Sequence, residues 1–126
     1  MKKIFTVLFV TLIASGCKPL DNQLKRQGQN AVEASLKDPS SAEFRNVKFV
    51  LKSEAHLQKE GFVCGEVNGK NGFGAYDGYQ KFAILVRAKT LYYIPFFGIQ
   101  HEELSPLFVN SLDPESLSDI EQICKF

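Results

Sequence analysis

Three thiols carry the most distinctive chemistry in this chain: Cys17, Cys64 and Cys124. A thiol can be acylated, oxidised to a disulfide, or activated as a nucleophile by a neighbouring imidazole. The two histidines, His56 and His101, make Cys64/His56 or Cys64/His101 the nucleophilic option. His101-Glu102-Glu103 lacks the second histidine of a helical zinc motif, so no metal site is expected. No Gly-x-Ser-x-Gly nucleophile elbow occurs in the folded part. Residues 61–78 (GFVCGEVNGKNGFGAYDG) hold six of the nine glycines, which raises the question of a phosphate-cradling loop. The spacing answers it. Gly72-Phe73-Gly74 has no third glycine at the dinucleotide spacing, and no Gly-Lys-Ser/Thr closes a P-loop. Tight turns in a sheet account for these glycines, and no cofactor is expected.

The position of Cys17 narrows its role. Lys2 and Lys3 precede an apolar run, Ile4 to Ile13, interrupted only by Thr6 and Thr11, and the small residues Ala14, Ser15 and Gly16 follow. This is the order and size of a secretory signal, and the run is about half the ~20 residues that span a bilayer. Leu12-Ile13-Ala14-Ser15-Gly16-Cys17 resembles the lipobox of bacterial lipoprotein precursors, with Ala14 standing where leucine is commonest. The resemblance implies removal of residues 1–16, a diacylglyceryl thioether on Cys17 and acylation of its freed amine. Two or more acyl chains give stable anchoring, at about 0.8 kcal/mol per buried methylene. Lys18 stands where the resemblance would place aspartate for inner-membrane retention, so the outer membrane is favoured over the inner, facing the periplasm or the surface.

Removing the leader also changes the arithmetic. The full chain of 126 residues has 15 basic and 14 acidic residues, net +1; without Lys2 and Lys3 the count is 13 against 14, net −1. A near-neutral chain with no basic block is not expected to bind nucleic acid. Its length, 23% charged and 44% hydrophobic residues suit one globular domain and exclude a multidomain enzyme, a coiled coil and a multi-span membrane protein. With Cys17 acylated, Cys64 and Cys124 remain as an even pair in an oxidising compartment, where a disulfide is expected and two buried free thiols are the alternative.

The elements that must position these residues follow from periodicity. Residues 17–21 form the lipidated cysteine and a very short tether, and residues 22–126 one α+β domain. Leu20, Leu24, Ala31, Ser35 and Leu36 share a helical face, giving a helix over about 21–37 that Asp38-Pro39 ends. Residues 40–44 make a short turn. Val47, Phe49 and Leu51 alternate as a half-buried strand, Phe62 to Cys64 with Val67 suggest a second, and Gln80 to Lys89 is the strongest strand pattern. Asn68-Gly69 and Asn71-Gly72 are turn dipeptides between them. Leu91 to Ile94 reads as a further strand broken by Pro95. Asp113 caps a final helix with Pro114 at its first position, and Leu117, Ile120 and Cys124 share its inner face. The expected architecture is a small antiparallel sheet flanked by an N-terminal and a C-terminal helix, both on one sheet face, with one Cys64–Cys124 disulfide.

Val63-Cys64-Gly65-Glu66-Val67-Asn68 with Lys70-Asn71, Gly74, Tyr76, Gly78 and Phe82 looks like the core pattern of a family of small exported bacterial proteins. Asp38-Pro39-Ser40-Ser41-Ala42 with Phe44-Arg45 looks like that family's other recurrent stretch, and the cysteine-bearing C-terminal helix fits it too. The resemblance spans residues 32–126 loosely and transfers no catalytic residue. Members often sit in prophage or accessory regions, which implies a self-protection or exclusion role. The sequence departs from that pattern at residues 92–97.

Two groups of residues could bind a partner. Tyr92, Tyr93, Phe96 and Phe97 supply large anchors around a Pro-Phe-Phe-Gly turn, and their alternatives are a place in the core or in the lipid interface. Asn68, Lys70, Asn71, Tyr76 and Asp77 could form a polar surface for a glycan or protein, or serve turn chemistry alone. The function expected is that of a non-enzymatic, membrane-anchored envelope lipoprotein acting as a binding module, in the form of prophage-type exclusion or immunity. Its partners are the bilayer, through acylated Cys17, and an envelope protein or a cell-wall glycan. A structural or wall-binding lipoprotein is the alternative, and a periplasmic Cys/His hydrolase the enzymatic one.

Overall fold

A computed structural model describes residues 20–90 and 99–126. Helix α1 (Asp21–Ser35) is followed by a 3-10 turn (Pro39–Ser41). Strands β1 (Glu43–Ala55), β2 (Gln58–Asn68), β3 (Gln80–Thr90), β4 (Ile99–Glu103) and β5 (Leu107–Phe108) come next. A second 3-10 turn (Val109–Ser111) leads to helix α2 (Pro114–Cys124). The sheet is antiparallel in the order β1-β2-β3-β4, and β5 pairs with β3 as well. The α+β architecture, the flanking helices and the Cys64–Cys124 disulfide are those expected from the sequence. Among the described residues, no helix is long and apolar enough to cross a membrane.

Helix α1 begins where the Gln23 side chain accepts a hydrogen bond from the Leu20 N–H at 3.0 Å, and it stops four residues before Pro39. Leu24, Gly28 and Val32, spaced by four, are its buried stripe. They lie over Val63, Val67, Phe82, Ile84, Val86 and Ala88. Gly28 is more than a weak point in the helix: a β-carbon there would stand 2.6 Å from Val63 Cγ2. Its bare backbone lets the helix approach the sheet, and χ1-restricted Val63 could not easily yield to a methyl group.

The expectation that both helices share one sheet face is corrected. Successive strand residues point to opposite faces, so Val63 and Cys64 separate the two helices. Val63 faces α1, whereas Cys64 and its cross-strand partner Ala83 face Ile120 and Cys124 of α2. Val50, Phe62, Val109, Leu112 and Ile123 complete this second, smaller core. Asp113 caps α2 as expected, accepting from the Ser116 N–H at 3.0 Å and the Ser116 hydroxyl at 2.8 Å. Hydrogen bonding to the Ser116 backbone and hydroxyl lowers the Asp113 carboxyl below its usual value. The disulfide joins β2 to the last residue of α2, with 5.8 Å between the α-carbons.

Strand β4 was not apparent in the sequence, because its polar residues give no apolar alternation and it pairs through its backbone, Val86 to Thr90 against Glu103 to Ile99. On the α2 side of the sheet, beyond the helix, Glu60 is 6% exposed. Its carboxylate meets Lys52 Nζ at 3.0 Å and Arg87 Nε at 2.6 Å, and Arg87 also reaches Glu102 at 3.2 Å. Hydrogen bonds first from Lys52 and then from Arg87 hold the Glu60 carboxyl below its ordinary value. A carboxyl lowered on folding stabilises the fold above its unfolded-state pKa, and that contribution disappears as pH falls through the folded-state value. Urea melts should therefore show stability falling below the normal carboxylate range. Glu60→Gln should cost about 1–2 kcal/mol at pH 7, the exposure of Lys52 and Arg87 keeping it modest, and should flatten that acid limb. An unchanged limb would dismiss Glu60 as its source.

Candidate functional site

The connection between β2 and β3, residues 69–79, is the most heavily wired loop among the described residues. Asn71 organises it. Its Oδ1 accepts from the N–H groups of Phe73 (2.9 Å) and Ala75 (3.2 Å), and its Nδ2 donates to Asp77 at 2.8 Å. The Asn71 N–H donates to the Ala75 carbonyl at 2.8 Å, and the Gly74 N–H to the Asn71 carbonyl at 3.1 Å. Lys70 and Tyr76 form a bridge below the tip. Gly74 (φ +77°) and Gly78 (φ +103°) occupy left-handed backbone that other residues adopt at a cost. At the base, buried Asn68 accepts from the Gly78 N–H at 3.2 Å.

The loop is fastened to the turn after α1. The Ser41 hydroxyl accepts from the Lys70 N–H at 2.8 Å and donates to the Asp38 carbonyl at 2.7 Å, while the Tyr76 hydroxyl donates to the Ser41 carbonyl at 2.9 Å. The two stretches singled out in the sequence, 38–45 and 63–82, thus meet at Ser41. Desolvation and then the Glu43 carboxylate raise the Tyr76 phenol above its usual pKa.

Beside the loop lies a polar cleft of about 360 Å³, lined by Lys37 from just past the end of α1, Lys70, Asn71, Asp77, Tyr79 and Gln80, with Phe108 and Asn110 across it. The Arg45 guanidinium lies 3.8 Å from the Tyr79 ring centroid and is paired with Glu66 at 3.0 Å. A larger depression of about 550 Å³ lies between α1 and β4 but is more open. Its floor is occupied by hydrogen bonds of Gln27 to His101 (2.8 Å), the Glu102 carbonyl (2.9 Å) and Glu103 (2.8 Å).

Asn68, Lys70, Asn71, Tyr76 and Asp77 are thus brought together, as turn-builders first: the amides and the carboxylate serve the loop itself. The residue that faces outward is Phe73, at 98% exposure the most exposed large apolar side chain among the described residues. Sequence reasoning passed over it, although a phenylalanine between Gly72 and Gly74 in a turn has no strand or helix to carry it into a core. Cys64 is fully buried and bonded to Cys124, so it has no free thiol for a Cys/His pair.

Cys17, Tyr92, Tyr93, Phe96 and Phe97, together with the strand expected at 91–94, lie outside the described residues. The residues that flank 91–98 are described: Thr90 pairs with Ile99, and its N–H donates to the Leu57 carbonyl at 2.7 Å. In the same part of the domain Lys59, next to the β1–β2 turn, pairs with Asp21 at the start of α1 at 2.7 Å. The wired loop is at the other end, where a β-carbon at Gly69 would stand 3.1 Å from Leu36. Helix α1, with 15 residues, separates the two ends by about 22 Å, and β2, with 11, by about 36 Å. No family model matches the chain, and no curated protein or solved structure matches it.

Proposed function

We propose that this chain is a non-enzymatic lipoprotein of the bacterial envelope, anchored through acylated Cys17, that binds another envelope component at the end of the domain carrying loop 69–79. The observation that carries the reading is that loop: a prearranged surface with an outward aromatic and an adjoining polar cleft, at the end opposite the tether. Leu12 to Cys17 and the short stretch before Asp21 support the anchor. Lys18 after the acylated cysteine favours the outer membrane. In its specific form the protein protects its host by prophage-type exclusion or immunity.

Cys17→Ser in the full chain should abolish fatty-acid labelling and move the protein from the membrane fraction to the soluble fraction. Persisting label would overturn the anchor. Equal sensitivity of producing and non-producing cells to phage or toxin challenge would remove the protective form. The cleft favours a second reading, a wall-binding lipoprotein, because Lys37, Lys70 and Asn110 offer donors to a glycan or its peptide stems. Purified peptidoglycan should then retain the detergent-solubilised chain.

A further inference from the structure

We infer that Phe73 is the anchor by which this chain docks into an apolar pocket of a protein partner, on the side of the domain away from its tether. The inference rests on the proposed binding role and names the partner's class.

Fixed presentation is the first ground. The phenyl group is 98% exposed, yet hydrogen bonds at its own N–H and at those of Asn71, Gly74 and Ala75 set the backbone that carries it. A loop backbone held in place while free loses little further freedom when the ring it carries is bound. A large aromatic kept in water by a built loop gains on entering a dry pocket.

The surroundings select the partner. A glycan is gripped by polar groups that point outward, but here Asn68, Asn71 and Asp77 turn toward the loop's own backbone and each other. An anionic bilayer is gripped by a cluster of basic residues. Loop 69–79 instead carries Lys70 balanced by Asp77, and the Lys70 ammonium lies 5.7 Å from the Tyr76 ring centroid. The tip is also remote from Leu20, where the tether enters. A neutral, convex tip ending in one ring is complementary to a concave apolar pocket on a protein.

The test uses the full-length chain in the cells that make it, with a benzophenone amino acid at position 73 and, as the tether-end control, at position 20. Irradiation should give one discrete adduct with a different protein from position 73 and not from position 20. The protein in that adduct is then titrated against the detergent-solubilised full-length chain. Phe73→Ala should weaken binding about 10- to 100-fold, as expected for withdrawing one buried aromatic, and Phe73→Leu should recover most of the loss. Thermal melts of both variants should match the parent, because the ring is almost fully exposed. Adducts only with lipid, with wall polymer or with a second copy would overturn the inference, as would no adduct or a loss below tenfold. The outcome is separable from the anchor: failure of Cys17→Ser to release the chain overturns the lipoprotein reading and leaves the position-73 result to be judged alone.

Discussion

Replacing Cys64 and Cys124 together by alanine is expected to remove about 4 kcal/mol of stability, the chain-entropy value for the 60-residue separation that the disulfide closes. Domains of this size are stable by about 5–15 kcal/mol, so this is a large share of the whole. It corresponds to a melting temperature lower by roughly 15–20 °C. The loss should be uneven. Helix α1 is held by a broad core of fully buried residues, whereas α2 buries only Ile120 and Cys124. Amide exchange in the double variant should rise first in residues 114–124 and leave residues 21–35 protected. A melt that does not move under reducing agent would show that packing alone holds α2.

The second large effect lies on the opposite face. Phe82→Ala should cost about 3–5 kcal/mol, read as a shifted urea midpoint at pH 7. Phe82 is the largest fully buried side chain among the described residues and meets Phe44 edge to face, with ring centroids 5.9 Å apart and planes at 79°. Its cross-strand partner is Gly65, where a β-carbon would stand 3.2 Å from the Phe82 ring and 2.9 Å from Val47 Cγ2. The absent side chain at Gly65 makes room for the ring, so the residue paired across the strand cannot fill the cavity left by alanine. A cost below about 1 kcal/mol would mean that the surrounding residues collapse into the space.

The elements that follow an apolar period were legible before any coordinates. Gln80 to Lys89 carries an apolar run strong enough to mark β3 within a residue of its limits, and Asp113-Pro114 marks the start of α2 by cap chemistry. The even cysteine pair was legible from the compartment that the leader implies. What could not be read were features that depend on faces meeting. Strands β2 and β3 are apolar on both faces, so their pattern does not show which face a given helix covers. Strand β4 is a polar edge strand specified by backbone pairing. The dipeptides Asn68-Gly69 and Asn71-Gly72 marked a turn, but not that Asn71 would hold both Phe73 and Ala75. Once the amides are committed inward, the outward chemistry of the loop passes to Phe73.

Ser41 carries a lesson for anyone who would move this loop to another scaffold. It is only one residue, yet it holds the Lys70 N–H, the Tyr76 hydroxyl and the Asp38 carbonyl. The transplantable unit is therefore discontinuous: residues 38–42 must travel with residues 68–79, two pieces separated by a whole hairpin. A host protein receiving the second piece alone would have to supply a hydroxyl and a carbonyl of its own at the same place. The loop is in this sense a composite part, inherited as a pair of segments rather than as a word in the sequence.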